Sequence, residues 1–289
     1  MPNLDKFYTT KTVALNCINF LYQTFPNINF NKKIFLEPSA GAGAFSTQLP
    51  HCVALDIAPE ADNIQQKDFF NYNPQMTFKN FVTIGNPPFG HRSELAIRFF
   101  NHAAQFSDVI AFIVPVSFMK WNVQKKISMN FVLTDYFYLT PQSFTANNVP
   151  YSVRTVFQIW SKKNTEFDIQ KNYRLQKAPP ITHPDFKIWQ HNATEQSRST
   201  VNEDWEIATW RQGYKNFNEL FTRKDYDWLY NQVYNTNQQF FFIKPLNEKA
   251  RSIISKMDFN ALAERNTATP GFGKGDFVSY YMELEKKYE

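Results

Sequence analysis

The chain has 289 residues, 43% hydrophobic and 20% charged, and its 31 basic and 26 acidic side chains give a formal charge of +5. That is ordinary globular composition, long enough for one large or two modest domains. No run approaches the roughly 20 apolar residues of a membrane helix, and Cys17 and Cys52 form neither a zinc pattern nor a disulfide framework. The mild positive charge permits nucleic-acid binding without demanding it.

The opening "MPNLDKFYTT" has no basic stretch followed by an apolar run, so no signal peptide is read and a reducing cytoplasm is the expected compartment. Residues 11–25 read as a helix, with Val13, Cys17, Phe20 and Leu21 near one face. "KIFLEPS" follows as a strand, with a helix expected after Gly41 and Gly43. "CVALDI" and "FVTIG" are further strands, then "RSELAIRFFNHAAQF" a helix, and "DVIAFIVP", "YFYLT" and "SVRTVFQIW" strands. Strands alternating with helices imply an α/β fold, a Rossmann-like doubly wound and mostly parallel sheet with ligands beyond the strands' carboxyl ends. After Lys163 the pattern loosens into Pro179, Pro180, Pro184 and polar "NATEQSRST", then short mixed segments. The expected organisation is a cofactor-binding catalytic domain over 1–163 and a smaller mixed α+β region over 164–289, the boundary falling within 163–180.

Glycine is scarce, eight in all, and four sit at 41, 43, 85 and 90, where the backbone must turn or approach a ligand closely. "IFLEPSAGAGAF" is a strand, a tight Gly41-Ala42-Gly43 turn and Ser46 where a dinucleotide fingerprint wants a third small residue. Asp56 ends the next strand too early for that fingerprint, which disfavours a nicotinamide oxidoreductase. A nucleoside without a pyrophosphate fits better, with Asp56 on the ribose hydroxyls. Asp68, in "QQKDFF", stands where a carboxylate accepts an adenine amine, with Phe69 packing on the ring.

"GNPPF", residues 85–89, ends a strand in two prolines that fix φ and remove donors. The Asn86 amide oxygen and the Pro87 carbonyl make two acceptors for one –NH2 group. They draw a conjugated nitrogen towards tetrahedral geometry and stabilise the charge that develops as it attacks, and the prolines pre-organise them. Phe89 supplies a stacking face.

The ordered set "DKFYT" (5–9), "FLEPSAGAGAF" (35–45), "LDIAP" (55–59), "KDFF" (67–70) and "GNPPF" (85–89) resembles the γ-type amino-methyltransferases, the S-adenosylmethionine-dependent DNA adenine-N6 methyltransferases. The likeness covers residues 1–160 well and the remainder loosely. It implies a class I methyltransferase fold, S-adenosylmethionine as cofactor and DNA as partner. It implies that Tyr8, Thr9, Glu37, Gly41 and Gly43 line the methionine end, Asp56 and Ile57 the nucleoside, and Asp68 and Phe69 the cofactor's adenine. Asn86, Pro87 and Phe89 would act on the target base, with Pro88 beside them and Phe144 or Tyr151 on the base's other face.

His91 and Arg92 follow the loop and are placed to touch a nucleic-acid backbone. Arg211 in "WRQGYKNF" has a side chain that reads or clamps bases, and Lys274 in the glycine-rich "TPGFGKGD" can approach a phosphate. No carboxylate–lysine nuclease cluster stands out, which favours a solitary restriction-modification methyltransferase over a fused endonuclease, and no metal site is expected. RNA adenine-N6 or protein glutamine-N5 as acceptor, and a catalytically silent nucleic-acid-binding subunit, are the alternatives. Oligomeric state, a homodimer included, stays open.

Overall fold

The computed structural model describes residues 8–74, 80–140, 143–146, 149–151, 153–266 and 269–288. Contacts divide the chain into two compact units, Met1–Gln176 and Lys177–Glu289.

In the first unit, strand β1 is Tyr8–Thr9, followed by helix α1 (Lys11–Thr24), β2 (Phe35–Glu37), β3 (Cys52–Asp56), β4 (Gln65–Gln66) and β5 (Phe81–Gly85). Next come α2 (Glu94–Ala103), β6 (Ser107–Pro115), α3 (Trp121–Gln124), β7 (Phe131–Tyr138), β8 (Phe144–Ala146), β9 (Val149–Tyr151) and β10 (Thr155–Lys162). Seven strands form a sheet in the order β4-β3-β2-β5-β6-β10-β7. The first five are parallel, while β10 runs antiparallel between β6 and β7. This is the Rossmann-like, doubly wound and mostly parallel sheet expected from the sequence. Every residue of β5 and β6 is buried, which is why both read as unbroken apolar runs rather than as alternation. One face packs α2 through Phe99 and Phe100 against Phe112 and Trp160. The other packs Ala14, Cys17, Ile18 and Leu21 of α1 against Phe35, Val82 and Phe157. Thr10 caps α1 by accepting from the Val13 amide at 3.3 Å. β1 and the hairpin β8–β9 form a separate three-stranded antiparallel sheet.

Two expectations change. The helix expected after Gly43 is one short 3-10 turn, Ser46–Gln48. Pro50 follows closely, and the side chains of Thr47 and Gln48 donate back to the carbonyls of Gly43 and Ala44 at 2.8 and 2.7 Å, so local bonds replace a helical ladder. The strand read as "YFYLT" begins earlier, at Phe131. The division between the units falls at Gln176, inside the expected range 163–180, so segment 164–176 packs with the first unit. Phe167 is fully buried and packs edge-on to Phe25 at 5.1 Å. The Arg174 guanidinium donates to the carbonyls of Gln124, Ile127, Ser128 and Phe131 at 2.6–3.0 Å, satisfying acceptors that burial would otherwise leave unpaired.

The second unit is an antiparallel sheet in the order β11 (Phe186–His191), β14 (Phe240–Pro245), β12 (Ile207–Trp210), β13 (Leu220–Thr222). It carries helices α4 (Tyr226–Asn235), α5 (Glu248–Ser255), α6 (Phe259–Ala263) and α7 (Lys274–Tyr288). Phe240, Phe241, Phe242 and Ile243 of the internal strand β14 are wholly buried. His183, Asp185 and Glu285 converge within 4.8 Å, but each is engaged. The Asp185 amide donates to His183 Nδ1 at 3.2 Å, the Tyr281 hydroxyl to Asp185 Oδ2 at 2.8 Å, and Lys249 pairs with Glu285 at 2.8 Å. Among the described residues no helix is long and apolar enough to cross a membrane.

Candidate active site

The carboxyl ends of β2, β3 and β5 open into one cleft of about 390 Å³, lined wholly by residues of the first unit. Two loops form its floor. After β2 the chain turns at Gly41, whose φ of +55° suits glycine, and a Cβ there would meet the Tyr8 ring at 3.3 Å. After β3, Asp56 accepts from the Gly41 amide through Oδ2 at 2.7 Å and from the Ala58 amide through Oδ1 at 2.8 Å. The Glu60 amide in turn donates to the Gly41 carbonyl at 3.0 Å. Asp56 therefore stitches the two loops together, and its carboxylate keeps lone pairs for a ligand.

Glu37 ends β2 and is 2% exposed. Burial pushes its carboxyl up to about 7, against hydrogen bonds from Ser46 and the Phe45 backbone that hold it down. The Ser46 and Phe45 amides donate to it at 2.8 and 3.4 Å. A carboxyl poised at neutrality in a cleft is a functional-site signature. The hydroxyl of Thr9, on the cleft wall, is buried without a hydrogen-bond partner among the described residues. Asp68 lines the cleft and caps the turn Phe69–Asn71, accepting from the Phe70 amide at 2.9 Å. Phe69 beside it is buried against Phe99, 5.1 Å between ring centres.

β5 delivers Asn86, Pro87, Pro88 and Phe89 to the same cleft. The Asn86 carbonyl accepts from the Ser39 hydroxyl at 3.2 Å, tying this loop to the glycine turn. Pro87 is buried, and Pro88 and Phe89 are half-buried. Gly90, at φ +68°, ends the loop, and a Cβ there would fall 2.7 Å from that of Leu95.

The cleft thus gathers Tyr8, Thr9, Glu37, Gly41, Asp56, Ile57, Asp68, Phe69 and Asn86 to Phe89 from five separate sequence segments. It also holds residues that the sequence reading missed. Glu60 accepts a hydrogen bond from the Tyr8 hydroxyl, and a second acid four residues after Asp56 was the available signal. Leu95 and Phe99 lie one turn apart on α2 and both reach the cleft.

Other expected residues stand elsewhere. Phe144 is wholly buried on the α1 side of the sheet, away from the residues that line the cleft. Tyr151 pairs with Phe144 in backbone register, and its side chain lies outside the described residues. His91 and Arg92 are exposed just past Gly90. In the second unit, Arg211 donates through Nη1 to the side-chain carbonyls of Gln239 and Gln212, and burial pushes its guanidinium down. The Phe272 amide donates to the Arg211 carbonyl at 3.1 Å, so the segments around Arg211 and Lys274 are neighbours. Lys274 opens α7, and partial burial lowers its ammonium.

No family model and no curated protein matches the chain. Solved structures do. A Pyrococcus horikoshii protein assigned provisionally as an RNA methyltransferase is 18% identical over 55% of this chain and 87% of its own, with a TM-score of 0.44. A modification subunit of a provisionally assigned type I restriction enzyme from Vibrio vulnificus is 14% identical over 56% of this chain and 45% of its own, TM-score 0.42. The type IIG restriction endonuclease BpuSI is 13% identical over 86% of this chain, TM-score 0.37, and the chain spans only 34% of that protein.

Proposed function

We propose that the chain transfers a methyl group from S-adenosylmethionine to the exocyclic N6 of adenine in DNA. One observation carries this reading: the Asn86–Phe89 loop and the Glu37, Asp56 and Asp68 carboxylates line one continuous cleft. Acceptor groups for an amine and a nucleoside-binding set therefore share one cavity.

The residues fit the cofactor. Thr9 offers a buried hydroxyl without a partner among the described residues, Glu37 a carboxyl for an ammonium group, and Asp56 lone pairs for a ribose diol. Ile57 is 53% exposed at the cleft, an apolar side chain that an adenine ring would cover, with Asp68, Phe69, Leu95 and Phe99 nearby. S-adenosylmethionine supplies an electrophilic methyl group on a sulfonium centre.

The chain's own contribution is to position the acceptor. Asn86 and the Pro87 carbonyl accept hydrogen bonds from the N6 amine and favour the charge that it gains. Phe89 stacks on the base. Extruding that base from a duplex costs a few kcal/mol, which stacking and these hydrogen bonds offset in part. The test is transfer of labelled methyl to duplex DNA, single-stranded DNA, RNA and protein supplied in parallel. Label recovered as N6-methyladenine in DNA is the expected result. Label in RNA or protein alone overturns the acceptor, and label in none of them overturns the activity.

A further inference from the structure

Helix α4 of the second unit carries Tyr226, Tyr230 and Tyr234 at four-residue spacing, which sets three rings in a row along one face. Ring centres lie 6.0 Å apart between Tyr226 and Tyr230, with planes at 38°. Between Tyr230 and Tyr234 they lie 4.4 Å apart, stacked at 25°. The outer two rings are anchored. Both pack against the unit's hydrophobic core, and the Tyr226 hydroxyl donates to Asn202 Oδ1 at 2.7 Å. Tyr230, between them, is 41% exposed. An exposed ring held by two anchored neighbours has given up much of its rotamer freedom before any ligand arrives, so binding requires little further ordering.

A guanidinium closes each end of the row. Arg223, just past β13, lies 5.0 Å from the Tyr226 ring and 4.8 Å from that of Trp205. Arg198 lies 5.8 Å from the Tyr234 ring. Arg223 also donates to the Glu203 carbonyl at 3.2 Å, and neither arginine forms an ion pair with a carboxylate among the described residues. Lys244, Arg223 and Lys187 crowd the single carboxylate of Asp204 and hold it below its usual range, so cations are in excess there. Asp225 is taken up by the Thr222 amide and hydroxyl at 2.8 and 3.2 Å. Glu203 and Asp227 are exposed acids on the same segments, which makes the rings, rather than net charge, the main source of affinity.

We infer that the Tyr226–Tyr230–Tyr234 row is a stacking platform for unpaired bases of a DNA strand, with Arg198 and Arg223 on the flanking phosphates. That the strand is DNA rests on the methyl-transfer reading above, in which a base leaves its duplex partner. The platform itself uses no residue of the cleft. Every base has a π-face, so a row of rings binds with little sequence preference, and guanidinium groups add cation–π and phosphate contacts. The Tyr226–Tyr230 gap is the wider of the two and holds the exposed ring, so a base stacks there.

Anisotropy titrations of the full chain test this with three labelled probes: a mixed-sequence single-stranded DNA, the same sequence as RNA, and a proline-rich peptide, another ligand of aromatic grooves. Tyr230→Ala should weaken single-stranded DNA binding about tenfold, while Tyr230→Phe, which keeps the ring, should stay within about twofold of wild type. Arg198→Gln/Arg223→Gln should lower the salt slope of log affinity by about 1.4, at about 0.7 per phosphate contact on a single strand. Tyr173→Ala removes a similarly exposed tyrosine of the first unit, 46% accessible, and should change neither affinity nor slope. Wild-type affinity in Tyr230→Ala, equal losses in Tyr230→Ala and Tyr173→Ala, or binding of RNA or the peptide alone overturns the platform. No methyl transfer enters these readouts. A loss confined to Tyr230→Ala supports the platform even where the wild type methylates nothing, and unchanged binding overturns it even where DNA is methylated.

Discussion

In the second unit, polar side chains are answered within their own fold. Thr209 donates to the Phe217 carbonyl at 2.8 Å, Asp258 caps α6 and holds Asn218, and Arg265 pairs with Glu283 at 2.8 Å. Among its described residues the buried orphan atoms His191 Nε2 and Arg211 Nε belong to side chains anchored elsewhere, His191 by Ser197 and Arg211 by Gln239. At the carboxyl ends of the first unit's sheet the situation differs. The Thr9 hydroxyl has no partner among the described residues, Glu37 is a buried carboxyl without a cation, and Ile57 lies exposed. The contrast teaches where to look: residue type alone nominated Arg211 and Lys274, whereas incompletely satisfied groups converging on a cavity nominate the cleft.

The largest expected effect tests whether the cleft is self-contained. Phe242→Ala empties a fully buried position in β14 and should cost about 3–5 kcal/mol in chemical denaturation. Because the described lining of the cleft comes from the first unit, S-adenosylmethionine affinity under folding conditions should stay near wild type. A large loss of affinity would break the comparison.

Asp56→Ala comes next. It removes the proposed ribose acceptor and the stitch between the Gly41 and Ala58 amides, so calorimetry should show cofactor binding weakened by roughly 1.5–3 kcal/mol. An unchanged dissociation constant in a folded variant would remove Asp56 from the site.

The third effect is a pH dependence. With its carboxyl raised from 4.5 to about 7, Glu37 favours the folded state at low pH, and that contribution is lost as pH rises from 4.5 through 7. A cationic ligand reverses the preference, because it binds the carboxylate. Cofactor affinity should therefore weaken as pH falls below 7, by up to about tenfold per unit, and level off above it. Glu37→Gln should flatten the profile, and a wild-type profile flat from pH 6 to 8 would contradict Glu37 as the ammonium's partner.

Much of the first unit was legible because buried parallel strands write themselves as short apolar runs such as "FVTIG" and "DVIAFIVP", and because Gly41, Asp56, Asp68 and Asn86 each end a strand or open a turn. What stayed hidden was non-local. Leu95 and Phe99 look like ordinary core positions of an amphipathic helix until α2 is set beside Phe69. Phe144 and Tyr151 are equivalent as letters, and the burial of Phe144 is set by its packing with α1 and the sheet. The unit boundary at Gln176 lies inside the expected 163–180, and its exact place follows from Arg174, whose guanidinium caps carbonyls more than forty residues upstream. In the second unit, β14 pairs with β11 and β12 across long separations, a register that no local pattern encodes.

In the proposed function, Asn86 and its loop act on the acceptor amine while the rest of the cleft holds the cofactor. Single-turnover methylation of an adenine-containing duplex by Asn86→Ala tests it most directly, with cofactor affinity measured on the same preparation. The account predicts a rate lower by roughly 10²–10³ with cofactor binding and thermal stability retained. Full single-turnover activity in that variant would contradict it.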